Sequence, residues 1–228
     1  DLEWIAGYVA LRKLNDPAIA LKHFQNHRNA VESPISRGRA GYWIGLAYQA
    51  LGDAAAADQA FADGAQFQTS FYGILAAEKA GQPFDIGLGP QAEATDWRTS
   101  PLIHSPLFEA GMLLQASGEL SVAERFWTHL ADQLDEEQAA QLGQAAIDVN
   151  QPHLAVMIGK TVAYRGITLA APYYPLHPLT EQDLPIAPEM ALSIARRESE
   201  FDPVVQSGVG ARGLMQLMPA TAKEVAGQ

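Results

Sequence analysis

The sequence predicts an all-α fold, built largely as an array of antiparallel helix pairs. Three observations carry this reading. Apolar residues recur at three- and four-residue spacing along most of the 228 positions, Ala is abundant in those stretches, and Gly or Pro interrupts them at short intervals. A composition of 48% apolar and 18% charged residues belongs to a folded chain, not to a disordered or linker sequence. Acids outnumber bases 26 to 15, a net charge of −11, and the excess holds in both parts of the chain: 19 against 11 over residues 1–171 and 7 against 4 beyond. No basic stripe is present to displace counterions from phosphates, which argues against nucleic-acid binding. Cys is absent, which excludes disulfides, thiolate metal sites and a Cys nucleophile while leaving the redox compartment open. No apolar run approaches the ~20 residues that span a bilayer. The chain starts at Asp1 and not at Met, as expected of a processed product or an excised piece.

The first element is residues 1–81, a string of short amphipathic helices. Within it Trp4, Gly7, Tyr8, Leu11, Asn15, Ala20 and Phe24 form a spaced set, and Ile44, Gly45, Tyr48, Gly52, Ala57 and Phe61 fill equivalent places 37 residues on. Ala110, Gly111, Leu114, Gly118, Ala123 and Trp127 do so again a further 66 residues on. The pattern resembles that of tetratricopeptide helix pairs. Its physical sense is that small residues let two antiparallel helices approach, aromatic residues fill the wedge between them, and Gly52-Asp53 makes the turn.

Residues 82–101 are an irregular connection, with Pro83, Pro90 and Pro101 and several glycines breaking any helix. Residues 102–171 form a helical linker domain in which Glu119–Leu134 is amphipathic and Asp135–Val149 carries acids in its first turn, where the helix dipole favours them. A second boundary opens at Pro172: five of the 14 prolines fall between 172 and 188, predicting a stiff, extended spacer into a third domain, residues 172–228.

Pro188 then opens a helix, with Met190 and Ile194, and Ala191 and Ala195, on adjacent faces. Glu198 lies four residues after Ile194, so its carboxylate projects from the apolar stripe near the helix C-terminus. Desolvation and the negative end of the dipole there favour the protonated form, and a carboxyl kept neutral near pH 7 can act as a general acid. A Glu at a helix end, taken alone, is ordinarily solvated or paired, here with Arg196 or Arg197. Glu200 cannot share the face of Glu198.

What changes the weight of Glu198 is its continuation, ESEFDPVVQSGVGARGLMQLMPATA, from Glu198 to Ala222. This segment resembles the catalytic core of the soluble lytic transglycosylases of bacterial cell walls, whose signature runs E-S-x-F, a Ser, then G-A-x-G-L-M-Q-x-M-P-x-T-A. The upstream YWIGLAYQALGD and SFYGILAAEKAG are more weakly similar to the same family's Ala-rich superhelix. The resemblance implies a superhelical region, a linker domain and the first part of a lysozyme-like domain. It also implies cleavage of the β-1,4 bond between N-acetylmuramic acid and N-acetylglucosamine without water. Glu198 would protonate the glycosidic oxygen and then take the proton of the muramic C6 hydroxyl, which closes a 1,6-anhydro ring. Ordinary glycosidases use two carboxylates; here Glu200 and Asp202 lie on the wrong face or past the helix end, which suits one carboxylate and a tethered nucleophile.

By the same resemblance Ser207 would bind substrate beside the acid, Gly210, Ala211 and Gly213 would make a tight turn that lets backbone approach the sugar, Gln216 would hydrogen-bond an N-acetyl or lactyl group, and Met218 would lie against a sugar face. Met215 fits core packing, Ser199 a local hydrogen-bonding role, and Tyr173 and Tyr174 packing beside their prolines. His23 and His27 have zinc-compatible spacing but no accompanying ligands, so no metal is expected there, and no cofactor is implied, since proton transfer and an internal nucleophile suffice. The implied partner is peptidoglycan glycan strands in the periplasm, possible cell-wall synthesis proteins being unidentifiable from sequence. The family's A-Y-N-A-G stretch and late Tyr do not occur before Gln228, so the 228 residues are expected to be a fragment, inactive alone. Two other readings stay open: a helical-repeat scaffold that binds glycan without cutting it, and a muramidase that uses water.

Overall fold

Helix starts follow the sequence closely. In the computed structural model, which describes residues 2–89 and 94–227, prolines open helix after helix; Pro90, one of the expected helix breakers, lies outside the described residues. The chain divides into two units, Asp1–Gly89 and Pro90–Gln228. The first holds α1 (Leu2–Arg12), α2 (Pro17–Asn29), α3 (Pro34–Leu51), α4 (Ala54–Ala65) and α5 (Phe71–Lys79). The second holds α6 (Pro106–Ala116), α7 (Leu120–Ala131), α8 (Glu136–Asp148), α9 (Pro152–Tyr164), the single turn α10 (Ala170–Tyr173), α11 (Pro188–Ser199) and α12 (Pro219–Ala226). The fold is all-helical: the described residues form no β-strand, only isolated bridges near residue 212.

Side chains cap these helices as their residue types predict. Asp16, Ser33, Asp53, Ser70 and Asp135 each accept a hydrogen bond from the backbone N–H three residues on, at 2.8–3.2 Å. Gly52 ends α3 in the left-handed region at φ 80°, and Asp53 N then donates to Tyr48 O at 3.1 Å. Gly118 takes the same role after α6 at φ 86°, and Asn15 after α1 at φ 53°.

The repeated pattern has one physical content, a ring laid on bare backbone. Phe61 of α4 lies on Gly45 of α3, and Trp127 of α7 lies on Gly111 of α6, so closely that a Cβ on either glycine would fall inside the ring's contact distance. In the first pair Phe24 of α2 lies on Gly7 of α1, one position earlier than the copies align, because Tyr8 stands in the equivalent place. Phe24, Phe61 and Trp127 are fully buried, and Trp127 also donates its indole N–H to Phe108 O at 3.1 Å. The ring thus sets how near the two helices come.

The second unit is built on α9. Leu154, Ala155, Val156, Ile158 and Val162 are all fully buried, and with Trp127, Leu142 and Leu169 most of them make one core under α6–α9. Residues 172–188, expected as an extended spacer, are instead partly helical and docked: Pro172 and Tyr173 belong to α10, and Pro178–Glu181 is a 3₁₀ turn. The reason is steric, since Gly143 of α8 receives the Pro172 ring and Gly159 of α9 receives the Tyr173 backbone.

A Gly-to-Ala change in an unobstructed helix stabilises it by about 0.5–1 kcal/mol. Gly45→Ala and Gly111→Ala are expected instead to lose about 1–3 kcal/mol through overpacking against the ring. Urea denaturation checks this, and an unchanged or raised midpoint would show that the rings can move aside.

Candidate active site

The site is assembled at the end of α11. Ala191, Ala195 and Ser199, four residues apart, form its buried side, and Ala195 shares a cluster with Val156 of α9 and Phe201, against which Leu192, Leu214 and Met215 pack. Ser199 Oγ lies 3.0 Å from Ala195 O and 2.9 Å from Leu214 O, so its single proton ties either its own helix or the following segment. Packing of these small residues sets which side of α11 faces inward. The adjacent stripe of Met190, Ile194 and Glu198 therefore faces out, with Met190 58% and Ile194 42% exposed and Glu198 exposed beside them. This corrects the expectation that Glu198 is withdrawn from water: it shares the apolar stripe, but the small residues, not the large ones, are the buried side.

The neighbouring acids are engaged elsewhere. Asp202 accepts from Val204 N at 2.9 Å and closes a turn. Glu200 pairs with Lys160 of α9 through its carboxylate, and its carbonyl accepts from His153 Nδ1 at 3.0 Å, so Nδ1 carries a proton, because a carbonyl can only accept. His153 Nε2 faces Glu124 Oε2 of α7 at 3.3 Å. Burial above all, then nearby Arg196 and Arg197, hold the Lys160 ammonium below the ordinary lysine range, with Glu124 opposing them. Glu198 carries no hydrogen bond or ion pair among the described residues, nor is it paired with Arg196 as its sequence position suggests. Arg196 lies instead over the rings of Tyr173 and Tyr174, at 4.6 and 4.8 Å, and donates from Nε to Tyr173 O at 3.0 Å.

The chain leaves α11 through two successive left-handed residues, Glu200 at φ 54° and Phe201 at φ 65°. Each costs roughly 1–2 kcal/mol in an L-residue. Phe201 is nearly fully buried and stacked on His177, ring centroids 5.3 Å apart, so its burial holds the bend.

Residues 203–218 fold back on themselves in three short arms. Arg212 and Leu217 exchange backbone hydrogen bonds at 3.0 and 3.2 Å, Ser207 N donates to Ala211 O at 2.9 Å, and Gly213 N donates to Val205 O at 3.1 Å. Ser207 Oγ accepts from Ala211 N at 3.0 Å, which leaves its proton to be donated. Gln216, itself at φ 45°, spends its amide N–H groups on Val205 O at 3.2 Å and Gly213 O at 3.0 Å. Its Oε1 is what remains to accept from a ligand. Gly210 and Gly213 sit at φ 95° and 70° with nothing closer than 3.7 Å to a hypothetical Cβ, so what requires glycine there is backbone conformation and not space. Ser207, Gly213 and Gln216 are thus brought together, and Leu214 O of their segment lies 2.9 Å from Ser199 Oγ in the last turn of α11. Met215 packs into the cluster around Phe201. Met218 stands apart, 44% exposed at the start of α12.

Two features were not legible as part of a site. His153 and Lys160 read as ordinary helix residues, because only folding brings α9 against Glu200. Beside α11 lies an open pocket of about 410 Å³ lined by Tyr174, Leu176, Leu192, Arg196 and Phe201 among others; the sequence reading gave Tyr174 a packing role only. The zinc-spaced histidines part company, His23 Nδ1 lying 2.7 Å from Glu3 Oε2 while His27 is buried. Among the described residues no group of three or more side chains is disposed to hold a metal.

Residues 180–228 match the Transglycosylase SLT domain family. A Haemophilus influenzae relative named as a soluble lytic murein transglycosylase is 30% identical over 159 residues, which are 68% of this chain and 26% of that protein. The crystal structure of the 70 kDa soluble lytic transglycosylase from Escherichia coli superposes with a TM-score of 0.70 at 23% identity, over 99% of this chain and 36% of that one. Lytic transglycosylase Slt from Pseudomonas aeruginosa, solved as an inactive Glu-to-Gln mutant, gives 0.69 at 24% identity over 98% of this chain and 36% of its own. The chain therefore spans about a quarter of the length of the curated relative.

The bridging role of Gln216 makes a local expectation. Gln216→Ala loses two hydrogen bonds, about 0.5–1.5 kcal/mol each, and keeps a strained φ, whereas Gln216→Gly loses the bonds but relieves the strain. Hydrogen exchange at the Arg212 and Leu217 amides should be faster in the Ala variant than in the Gly variant, and slowest in the native chain.

Proposed function

We propose, from the match of residues 180–228 to the transglycosylase SLT domain family, that the polypeptide carrying this chain is a peptidoglycan lytic transglycosylase with Glu198 as both acid and base. The observation that carries the reading is the division of labour among three acids: Glu200 and Asp202 are held in structural contacts, while Glu198 points outward unpaired from a helix end tied to the motif segment. A two-carboxylate mechanism would need a second free acid near the first. Among Glu198, Glu200 and Asp202 the first alone is free, and in this reading its carboxyl gives its proton to the glycosidic oxygen as the bond to muramic C1 breaks. The resulting carboxylate then takes the proton of the C6 hydroxyl as that oxygen bonds to C1. The net change is one C–O bond exchanged for another and one proton carried between two oxygens, so neither water nor cofactor enters. Tethering supplies the nucleophile at high effective concentration.

In this reading Ser207 donates its free proton to substrate, Gln216 accepts through Oε1 from an N-acetyl N–H, the left-handed turns at Gly210 and Gly213 hold both in place, and Met218 offers an exposed, adaptable apolar surface to a sugar ring. Residues 1–81 serve as superhelical scaffold, 102–171 as linker domain and 172–228 as the beginning of the catalytic domain. The glycan strands lie in the periplasm, which is the location proposed; no helix among the described residues is long and apolar enough to cross a membrane. The inactive Pseudomonas relative bears Gln in place of a Glu, which accords with dependence on one glutamate.

In the natural full-length polypeptide, Glu198→Gln is expected to lower release of muropeptides by at least about 100-fold, the lower bound for loss of a general acid–base group. Mass spectrometry of the native products should show anhydro ends, lighter by one water than hydrolytic ends; reducing ends would establish a muramidase, and undiminished release by the variant would remove Glu198 from the chemistry.

A further inference from the structure

The left-handed exit from α11 is gripped from one side of one helix. His153, Val156 and Lys160 stand three and four residues apart on α9, hence on a single face, and that face meets Glu200 and Phe201 in three different ways. His153 Nδ1 donates to the Glu200 carbonyl at 3.0 Å, Val156 packs with buried Phe201, and Lys160 pairs with the Glu200 carboxylate. On its other side His153 Nε2 lies 3.3 Å from Glu124 Oε2 of α7. Strain of this kind persists only where surrounding structure over-determines it, and an observed outlier beside a reactive group points to a use. Here the outliers begin two residues after Glu198.

We propose that the His153–Val156–Lys160 face of α9 is a positioning element for Glu198, acting through Glu200 and Phe201. The inference rests on the acid–base role given to Glu198 above. The Lys160–Glu200 pair is about one-third exposed on each side, so it contributes little to global stability. What it fixes is direction. With Glu200 held at both carbonyl and carboxylate, the last turn of α11 cannot unwind or rotate, and the Glu198 carboxyl keeps its aim. A displacement of about 1 Å at a reacting group can lower a rate by about 100-fold. A clamp on the acid, and not on the glycan, should act on turnover and not on binding.

The test uses the natural full-length polypeptide with a soluble glycan-strand substrate. Lys160→Met and Glu200→Gln are each expected to lower kcat about 10-fold with KM within about twofold, while the melting temperature stays well above that of the assay. The charge-exchanged double variant, Lys160→Glu with Glu200→Lys, is expected to recover most of kcat, which also shows that position 200 needs no carboxylate for chemistry. His153→Asn, whose amide can still donate to the Glu200 carbonyl, should exceed His153→Leu in kcat. Single variants that are folded and have native kcat would overturn the proposal, as would a loss in the singles that the exchange does not restore. Glu198→Gln is measured in parallel: retained activity there would sink the underlying reading, whereas its loss alongside native kcat in the Lys160 and Glu200 variants would sink only the positioning role.

Discussion

A flat ring seated on the backbone of a facing helix sets the spacing on which this helical chain depends. The contact needs two residues that are individually unremarkable: a helical glycine, which weakens its own helix, and an aromatic residue on the helix that follows. Neither has much meaning without the other. Phe24 on Gly7, Phe61 on Gly45 and Trp127 on Gly111 bring paired helices nearer than ordinary side chains permit, and the burial of each ring offsets the helix propensity that its glycine gives up. The same device in a different guise docks the proline-rich stretch, where Gly143 and Gly159 receive Pro172 and Tyr173.

Docking of that stretch matters to the site. With Pro172 and Tyr173 fixed on α8 and α9, Arg196 can stack across both tyrosines, and α11 is held with its Ala191–Ala195–Ser199 side inward. The scaffold therefore does more than carry the motif segment. Through α9 it reaches the residues that end α11, and it leaves the side bearing Glu198 facing outward. Stability and geometry are divided between different contacts: the buried aliphatic core under α6–α9 carries the first, and a few polar links and strained turns carry the second.

Some of this depends on neighbouring residues alone. Caps at Asp16, Ser33, Asp53, Ser70 and Asp135 follow from local rules, because a short polar side chain before a helix can satisfy an N–H three residues on whatever the tertiary context. The helix-pair spacing was legible because it repeats. The proline-rich segment was misjudged: proline content reports what a backbone cannot do, and says nothing of a glycine on another helix that will receive it. Glu198 was placed on the correct stripe but given the wrong environment. Hydrophobic periodicity identifies a stripe of large residues, whereas close packing on α11 selected the small ones.

By itself the sequence determined that the chain is helical and that a contiguous motif runs from Glu198 to Ala222, since periodicity and motif are both local in the chain. The tertiary structure alone decided which acids are free and which are structural. Glu200 and Glu198 are two residues apart and chemically identical. What separates them is Lys160 and His153, some forty residues earlier, and a charge or a hydrogen-bond donor can act on a carboxyl only across a distance that folding has closed.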